Sequence, residues 1–237
     1  MGRPGFSLLE SLMALCLTLL ILVACLEFFG LGRKVFFRLR DSEEERLAVL
    51  AALEKIRLDT SRAGAGLTVP IRLGLLAGLK VEVENGRLFL ESAESILAPL
   101  QDLNAGETLL LCQGGQGLGA GRNVCIHDGG KGEIRSLEQT GMGFIIISEP
   151  LVHSYKKEEA RVVAVGSTTY YLDSGVIRRK VNASSGQPLL EEVEAWEVRG
   201  EPGSRLLAVG LKLKGKERRH EITVCPKNMA LALVADS

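Results

Sequence analysis

Hydrophobic and polar positions alternate in three different ways along this chain. Between residues 6 and 31 the only strongly polar side chains are Ser7, Glu10, Ser11, Thr18 and Glu27, and residues 12–26 hold one hydroxyl and no charge. A helix that crosses about 30 Å of hydrocarbon needs roughly 20 mostly apolar residues, so this run is long enough to span a membrane. Beyond it Leu47, Leu50, Leu53, Glu54, Arg57 and Leu58 recur at spacings of three and four, which continues a helix with one apolar face. Asp41, Glu43, Glu44 and Glu45 precede Arg46, Lys55 and Arg57, an order that favours ion pairs one turn apart on an exposed face. Gly64 and Gly66 read as the stop. A single helix from Phe6 to about Arg62 would be roughly 85 Å long at about 1.5 Å per residue.

After Gly66 the period falls to two. Leu79, Val81 and Val83 alternate with polar residues, Asn85-Gly86 supplies a tight-turn signal, and Leu88 and Leu90 resume, which predicts a β-hairpin over residues 79–91. Further strands are predicted at residues 108–112, 123–127, 143–148, 161–171, 176–181, 194–199, 206–214 and 220–225. The fold class that results is α+β: a long N-terminal helical stem, membrane-spanning in its first half, packed on a mostly antiparallel β head. A helix stripe buried on a sheet face is the two-layer solution such a pattern calls for. Residues 1–5 stand apart from the stem of residues 6–62, within which 6–31 are the span, and residues 67–237 form the head.

Composition narrows the function classes. Lys plus Arg and Asp plus Glu both number 29 among 237 residues, so the charge balance calls for no nucleic acid or acidic surface as a partner. The 27 glycines and 7 prolines suit a turn-rich β domain.

The start of the apolar run is unusual. A secretory signal peptide ends in a small-x-small cleavage site, and none is clear here. Instead Met1-Gly2-Arg3-Pro4-Gly5 leads into Phe6-Ser7-Leu8-Leu9-Glu10, with an acid just inside the apolar segment. A carboxylate in a spanning helix costs on the order of 2.5–3.5 kcal/mol on insertion scales, which makes Glu10 a functional candidate. These residues resemble the class III leader of type IV pilins and pseudopilins. The resemblance implies cleavage between Gly5 and Phe6 by a membrane-embedded prepilin peptidase, N-methylation of Phe6, and a Glu10 carboxylate that neutralises the terminal ammonium of a neighbouring subunit during assembly. Gly5, lacking a Cβ, lets the backbone approach a protease closely.

Where many major pilins carry a helix-kinking proline this chain has Glu27, a departure that points to a minor subunit. Residues 170–179 and 186–193, Tyr-Tyr-Leu-Asp-Ser-Gly-Val-Ile-Arg-Arg and Gly-Gln-Pro-Leu-Leu-Glu-Glu-Val, resemble a strand, turn and strand run of PilW-type minor pilins and J-type minor pseudopilins of type II secretion. Asp173-Ser174-Gly175 is equally an ordinary hairpin turn. The implied partners are other minor and major pilins or pseudopilins through their stem helices, the prepilin peptidase and the bacterial inner membrane, with the head in the periplasm or outside. Arg33, Lys34, Arg38 and Arg40 come after the span while Arg3 alone precedes it, so a plain positive-inside count would turn the head to the cytoplasm. The leader motif requires the opposite orientation. A rival signal is Leu22-Val23-Ala24-Cys25, which looks like a lipoprotein cleavage box and would make this a lipid-anchored exported binding protein. The apolar character continues past it through Leu26, Phe28, Phe29, Leu31, Val35 and Phe36, where a lipoprotein turns polar.

Cys16 and Cys25 lie in the span; Cys112, Cys125 and Cys225 lie beyond it. In an oxidising compartment disulfides persist, and spacing makes Cys112 and Cys125 the best candidate pair, against the alternative of three free buried thiols. The glycine-rich run of residues 114–121 lacks the Gly-Lys-Ser/Thr of a phosphate loop and reads as a flexible connection. His127, His153 and His220 show no metal-ligand spacing, and no nucleophile is placed beside an ordered base. No cofactor and no enzymatic role is expected.

Overall fold

The computed structural model describes residues 8–82, 86–200, 206–226 and 228. They divide into two compact units between Ala51 and Ala52. One α-helix, α1 (Leu8–Ser61), contributes to both. No proline occurs from residue 5 to 69, and Leu, Ala, Glu, Arg and Lys, all strong helix formers, fill most of α1.

In the second unit α1 ends in a turn at Arg62 to Gly66. Gly64 and Gly66 adopt φ of 74° and 70°, a left-handed backbone that ends helices and favours glycine. At Gly66 the choice is forced twice, because a Cβ there would sit 2.6 Å from the Cβ of Ala93. The Gly64 N–H donates to Glu91 O at 2.8 Å and the Ala93 N–H to Ala65 O at 2.8 Å, which ties the turn to the sheet. A short helix, α2 (Thr68–Arg72), comes next.

Nine strands then form one antiparallel sheet: β1 (Leu79–Glu82), β2 (Arg87–Pro99), β3 (Leu109–Gln113), β4 (Asn123–His127), β5 (Gly132–Gly141), β6 (Phe144–Ile147), β7 (Arg161–Asp173), β8 (Val176–Val181) and β9 (Gln187–Leu190). Their order is β1-β2-β3-β6-β5-β4-β7-β8-β9, and β2 also pairs with β7. That extra pairing closes a ring, β2-β3-β6-β5-β4-β7, so the centre of the sheet is a six-stranded antiparallel barrel. Closure comes from length: β2 and β7 have 13 residues each, and β2 pairs with β7 up to Leu97, then with β3 from Ala98 after a bulge between Ala93 and Ser95. Every barrel strand sends buried apolar side chains inward, among them Leu97, Leu110, Val124, Leu137, Ile145 and Val162. A second cluster of Leu67, Cys125, Val163 and Val165 lies on the outer face, covered by Ile71, Leu75 and Leu76 from α2 and its sequel.

The remaining strands, β10 (Val193–Gly200), β11 (Leu207–Leu213) and β12 (Arg219–Val224), form a separate antiparallel sheet. Its buried face carries Trp196, Val198, Val209, Leu211 and Val224. Its other face carries ion pairs of Glu197 with Arg199 and Arg219, and of Glu194 with Lys212. Trp196 Nε1 donates to Gly86 O at 2.6 Å and the Val193 N–H to Gly175 O at 2.8 Å, fixing this sheet to the hairpin ends of the first.

The α+β layout of a long apolar helix followed by an antiparallel β domain is therefore present, and the strands predicted at residues 123–127 and 176–181 coincide with β4 and β8. The turn of the β7–β8 hairpin is Ser174-Gly175, with φ of 52° and 81°, the two positive φ angles that a tight two-residue hairpin requires. Two features differ from expectation. The sheet closes on itself rather than lying flat under a helix, and β5 and β9 fall where alternation predicts no strand. Asn85 of the first predicted turn lies outside the described residues.

Candidate functional site

The first unit is dominated by α1 itself. An 18-residue stretch of the helix has a mean hydropathy of 2.6 and none of it is buried, so it is long and apolar enough to cross a membrane. Leu8, Leu20, Leu26, Phe28 and Phe29 are each more than 60 % exposed. Apolar surface left in water costs about 25 cal/mol per Å², so a face of this extent needs lipid or other helices around it. Thr18 Oγ1 donates to Ala14 O at 2.7 Å, which satisfies the one hydroxyl of residues 12–26 inside the helix. Glu10 lies in the first described turn of α1. The expected cleavage pair, Gly5 and Phe6, lies outside the described residues. Cys16 and Cys25 are exposed on the same helix.

In the second unit the last turns of α1 bury Ala52, Leu53, Ile56 and Thr60. Beside them Asp59 is a polar node. Its Oδ2 accepts from Tyr170 Oη at 2.7 Å and from Arg179 Nε at 2.8 Å, and its Oδ1 lies 3.1 Å from Lys55 Nζ. Burial raises the Asp59 carboxyl pKa, but the hydrogen bonds from Tyr170, Arg179 and Lys55 outweigh it and hold the group below the ordinary range. Burial and the bond to Asp59 push the Tyr170 phenol up. The register explains the geometry, since Leu88, Tyr170 and Arg179 are direct cross-strand neighbours on β2, β7 and β8.

A second node sits in the barrel. Glu133 is 6 % exposed and faces Ile126, an inward position. It accepts from the backbone N–H groups of Val152 and His153 at 2.9 and 3.1 Å and from Tyr155 Oη at 2.9 Å, and its Oε2 lies 2.5 Å from an Arg135 nitrogen. Burial opposes its ionisation, yet those four partners hold its pKa below the ordinary value. The node pins the connection between β6 and β7 across the barrel end. Sequence reasoning missed it because an acid just after Gly129, Gly130 and Gly132 reads as part of a turn.

The cysteine pair needs correcting. Cys112 and Cys125 are both free. Cys112 points into the barrel with Leu110 and Ile145, whereas Cys125 points outward against Leu67 and Val163. Strands β6 and β5 also separate β3 from β4 in the ring, and at about 4.8 Å per strand the two cysteines are too far apart for a bridge, which needs Cα atoms within about 7 Å. Burial alone pushes the two thiols up, to about 11 for Cys112 and about 12 for Cys125. Cys225 is free and exposed.

His127 is 7 % exposed at the end of β4, and its Nδ1 has no hydrogen-bond partner among the described residues. Burial lowers its pKa, Asp128 opposes that shift, and Arg161 adds to it. Asp128 instead caps its own turn, accepting from the Gly130 and Lys131 N–H groups at 3.0 Å each. Residues 114–121 connect β3 to β4, with Leu118 tucked into the barrel core. Among the described residues no three His, Cys, Asp or Glu side chains group as metal ligands. No protein-family model matches the chain, and neither does any curated protein or solved structure.

Proposed function

We propose that this chain is a minor pilin of the PilW type, which joins other pilin stems in the bacterial inner membrane and takes part in priming, assembling or capping a type IV pilus. In this reading the leader of residues 1–5 is removed by the prepilin peptidase, Phe6 becomes the methylated N-terminus, and the β head is exported. The observation that carries it is the order Gly5-Phe6-Ser7-Leu8-Leu9-Glu10 in the sequence, followed by a helix that is apolar on every side over residues 12–26. A soluble protein would have no use for such a surface; stems packed side by side in lipid would cover it. Glu10 then fixes axial register, because attraction between its carboxylate and a terminal ammonium is far stronger in low dielectric than in water. A J-type minor pseudopilin of a type II secretion system would use the same residues in the same roles.

Glu10→Ala in the full-length chain tests the assembly role. The variant is expected to be cleaved and inserted normally yet to be missing from sheared filaments and from complexes of minor subunits. Incorporation at the wild-type level would remove the register role, and absence of the wild-type chain from any filament or stem complex would remove the reading itself.

A further inference from the structure

Residues 66–77 form a loop whose two ends are fastened to the same stretch of strand β2. At its start the Ala93 N–H donates to Ala65 O at 2.8 Å. At its end the Glu91 N–H donates to Gly78 O at 2.7 Å and the Gly78 N–H to Glu91 Oε2 at 3.0 Å. A compact loop closed at its base in this way is an Ω-loop. Gly78, with φ of 69°, matches Gly66, so a left-handed residue stands at each end. Between those ends α2 lies against β4, and Ile71, Leu75 and Leu76 cover Cys125, Val163 and Val165. The N–H groups of Ile71, Leu73, Gly74 and Leu75 all donate within the loop. Among the described residues the middle of the loop makes one hydrogen bond to the barrel, from Arg72 Nη2 to Gly129 O at 3.4 Å. Apolar contact therefore holds it down. A cavity lined by Leu75, Leu76, Ala77, Phe89 and Glu91 leaves room beside its second half.

His127 stands under this loop. It follows Cys125 by two positions on β4, which puts both side chains on the outer face, and it pairs with Gly132 on β5 and Arg161 on β7. A Cβ on Gly132 would lie 2.7 Å from Leu75 Cδ1 and 3.0 Å from His127 Cβ, so the leucine and the histidine share the space that Gly132 leaves. The unpartnered Nδ1 of His127 is buried there. Around it stand the Cys125 thiol and Asp128 on its own strand, Lys131 and Glu133 on the β4–β5 hairpin, Arg161 across the sheet and Arg72 on the loop. Both acids are already engaged. Asp128 accepts from the Gly130 and Lys131 N–H groups, while Glu133 accepts from Val152, His153 and Tyr155 and pairs with Arg135. The remaining charged groups are cations. A neutral imidazole fits this position and an imidazolium does not, because burial without an acceptor disfavours the charged form.

We propose that residues 66–77 are an acid-released lid. When His127 takes up a proton its imidazolium needs water at Nδ1, and the loop lifts off β4 about its two fastenings on β2, uncovering Cys125, Val163 and Val165. His127 binds a proton with ordinary affinity only when the lid is away. The closed form therefore holds above about pH 6.5 and gives way as pH falls below it.

The test follows labelling of Cys125 by dithiodipyridine in the full-length chain in detergent, from about pH 8 to about pH 5. Glutathione serves as the reference that divides out the reagent's own pH dependence. Asp59 and Glu133, whose pKa values are lowered, keep their charge over this range. Tryptic peptides separate Cys125 from Cys112, since Arg122 lies between them. One proton taken up on opening raises the open population by up to about ten-fold per pH unit. At about pH 8 both thiols are slow; between about pH 7 and about pH 5 Cys125 is expected to speed up about ten-fold relative to glutathione, with Cys112 unchanged inside the barrel. H127Q keeps Cys125 slow throughout, and L75A speeds it already at about pH 8 without moving Cys112. No rise in the wild type overturns the proposal, and so does an equal rise in H127Q, which assigns the titration to another group. No gain in L75A overturns the covering role of the loop. A parallel rise at Cys112 overturns the lid as well, because the whole barrel is then opening.

Discussion

Tyr170 Oη donates a 2.7 Å hydrogen bond to Asp59 Oδ2, joining the end of the long helix to a central sheet strand across 111 positions of sequence. Arg179 and Lys55 share the same carboxylate, so one largely buried acid gathers three donors. Removing one donor and removing the acceptor have different consequences. Tyr170→Phe leaves Asp59 with two cations and should cost about 1.5 kcal/mol, the low end for a hydrogen bond to a charged group. Asp59→Ala strands the buried phenol and the Arg179 guanidinium and should cost about 3 kcal/mol. Urea unfolding of the full-length chain in detergent checks both, and equal losses would show that the node acts through packing alone.

Glu133 plays the corresponding part in the barrel. Glu133→Ala uncouples Val152, His153, Tyr155 and Arg135 at once, and breaking a buried ion pair by one partner costs about 3–5 kcal/mol. Because Val152, His153 and Tyr155 sit on the connection before β7, limited proteolysis should cut the variant within residues 148–160 well before the wild type. A digestion pattern identical to wild type would contradict the anchoring role.

Acid should loosen the second unit in two stages. His127 has a folded pKa below its ordinary value, so its contribution is complete above about pH 6.5 and is lost as pH falls from there towards the folded value, while the unfolded chain takes up the proton first. Asp59 and Glu133 are also depressed, so their contributions are complete above about pH 4.5 and are lost as pH falls through their lowered folded values. A denaturation series from pH 8 to 3 should show a shallow decline followed by a steep one. His127→Gln should flatten the first stage and leave the second.

The thiols of Cys112 and Cys125 should stay reduced in the folded protein. Their burial and raised pKa values predict that iodoacetamide labels neither until urea unfolds the chain. Intact mass after non-reducing purification should show both as thiols. A fall of two hydrogens localised to the peptides holding residues 112 and 125 would contradict the placement of one cysteine inside the barrel and the other outside.

Much of this architecture is legible in the residues. The stem is readable because a uniformly apolar run passes into spacings of three and four from Leu47 on, with no proline before Gly64 and Gly66, and the β7–β8 turn because Ser174-Gly175 tolerates positive φ. Barrel closure is not, since it depends on β2 exchanging β7 for β3 after the bulge at Ala93 and Ser95, a long-range pairing that alternation does not encode. Strand β5 hides behind an inward-facing Glu133, and β9 behind Pro188, which an edge strand tolerates. The expected cysteine pairing fails for a similar reason: close spacing in sequence says nothing about which face of a sheet each side chain takes. In the candidate site itself Glu10 stands out as an acid in an apolar run.

The leader reading is tested most directly by the intact mass of the mature chain purified from cells that carry a prepilin peptidase, together with sequencing of its N-terminal peptide. The expected product lacks residues 1–5 and begins with Phe6 bearing one added methyl group. A chain that retains Met1, or one that begins at an acylated Cys25, would contradict that reading.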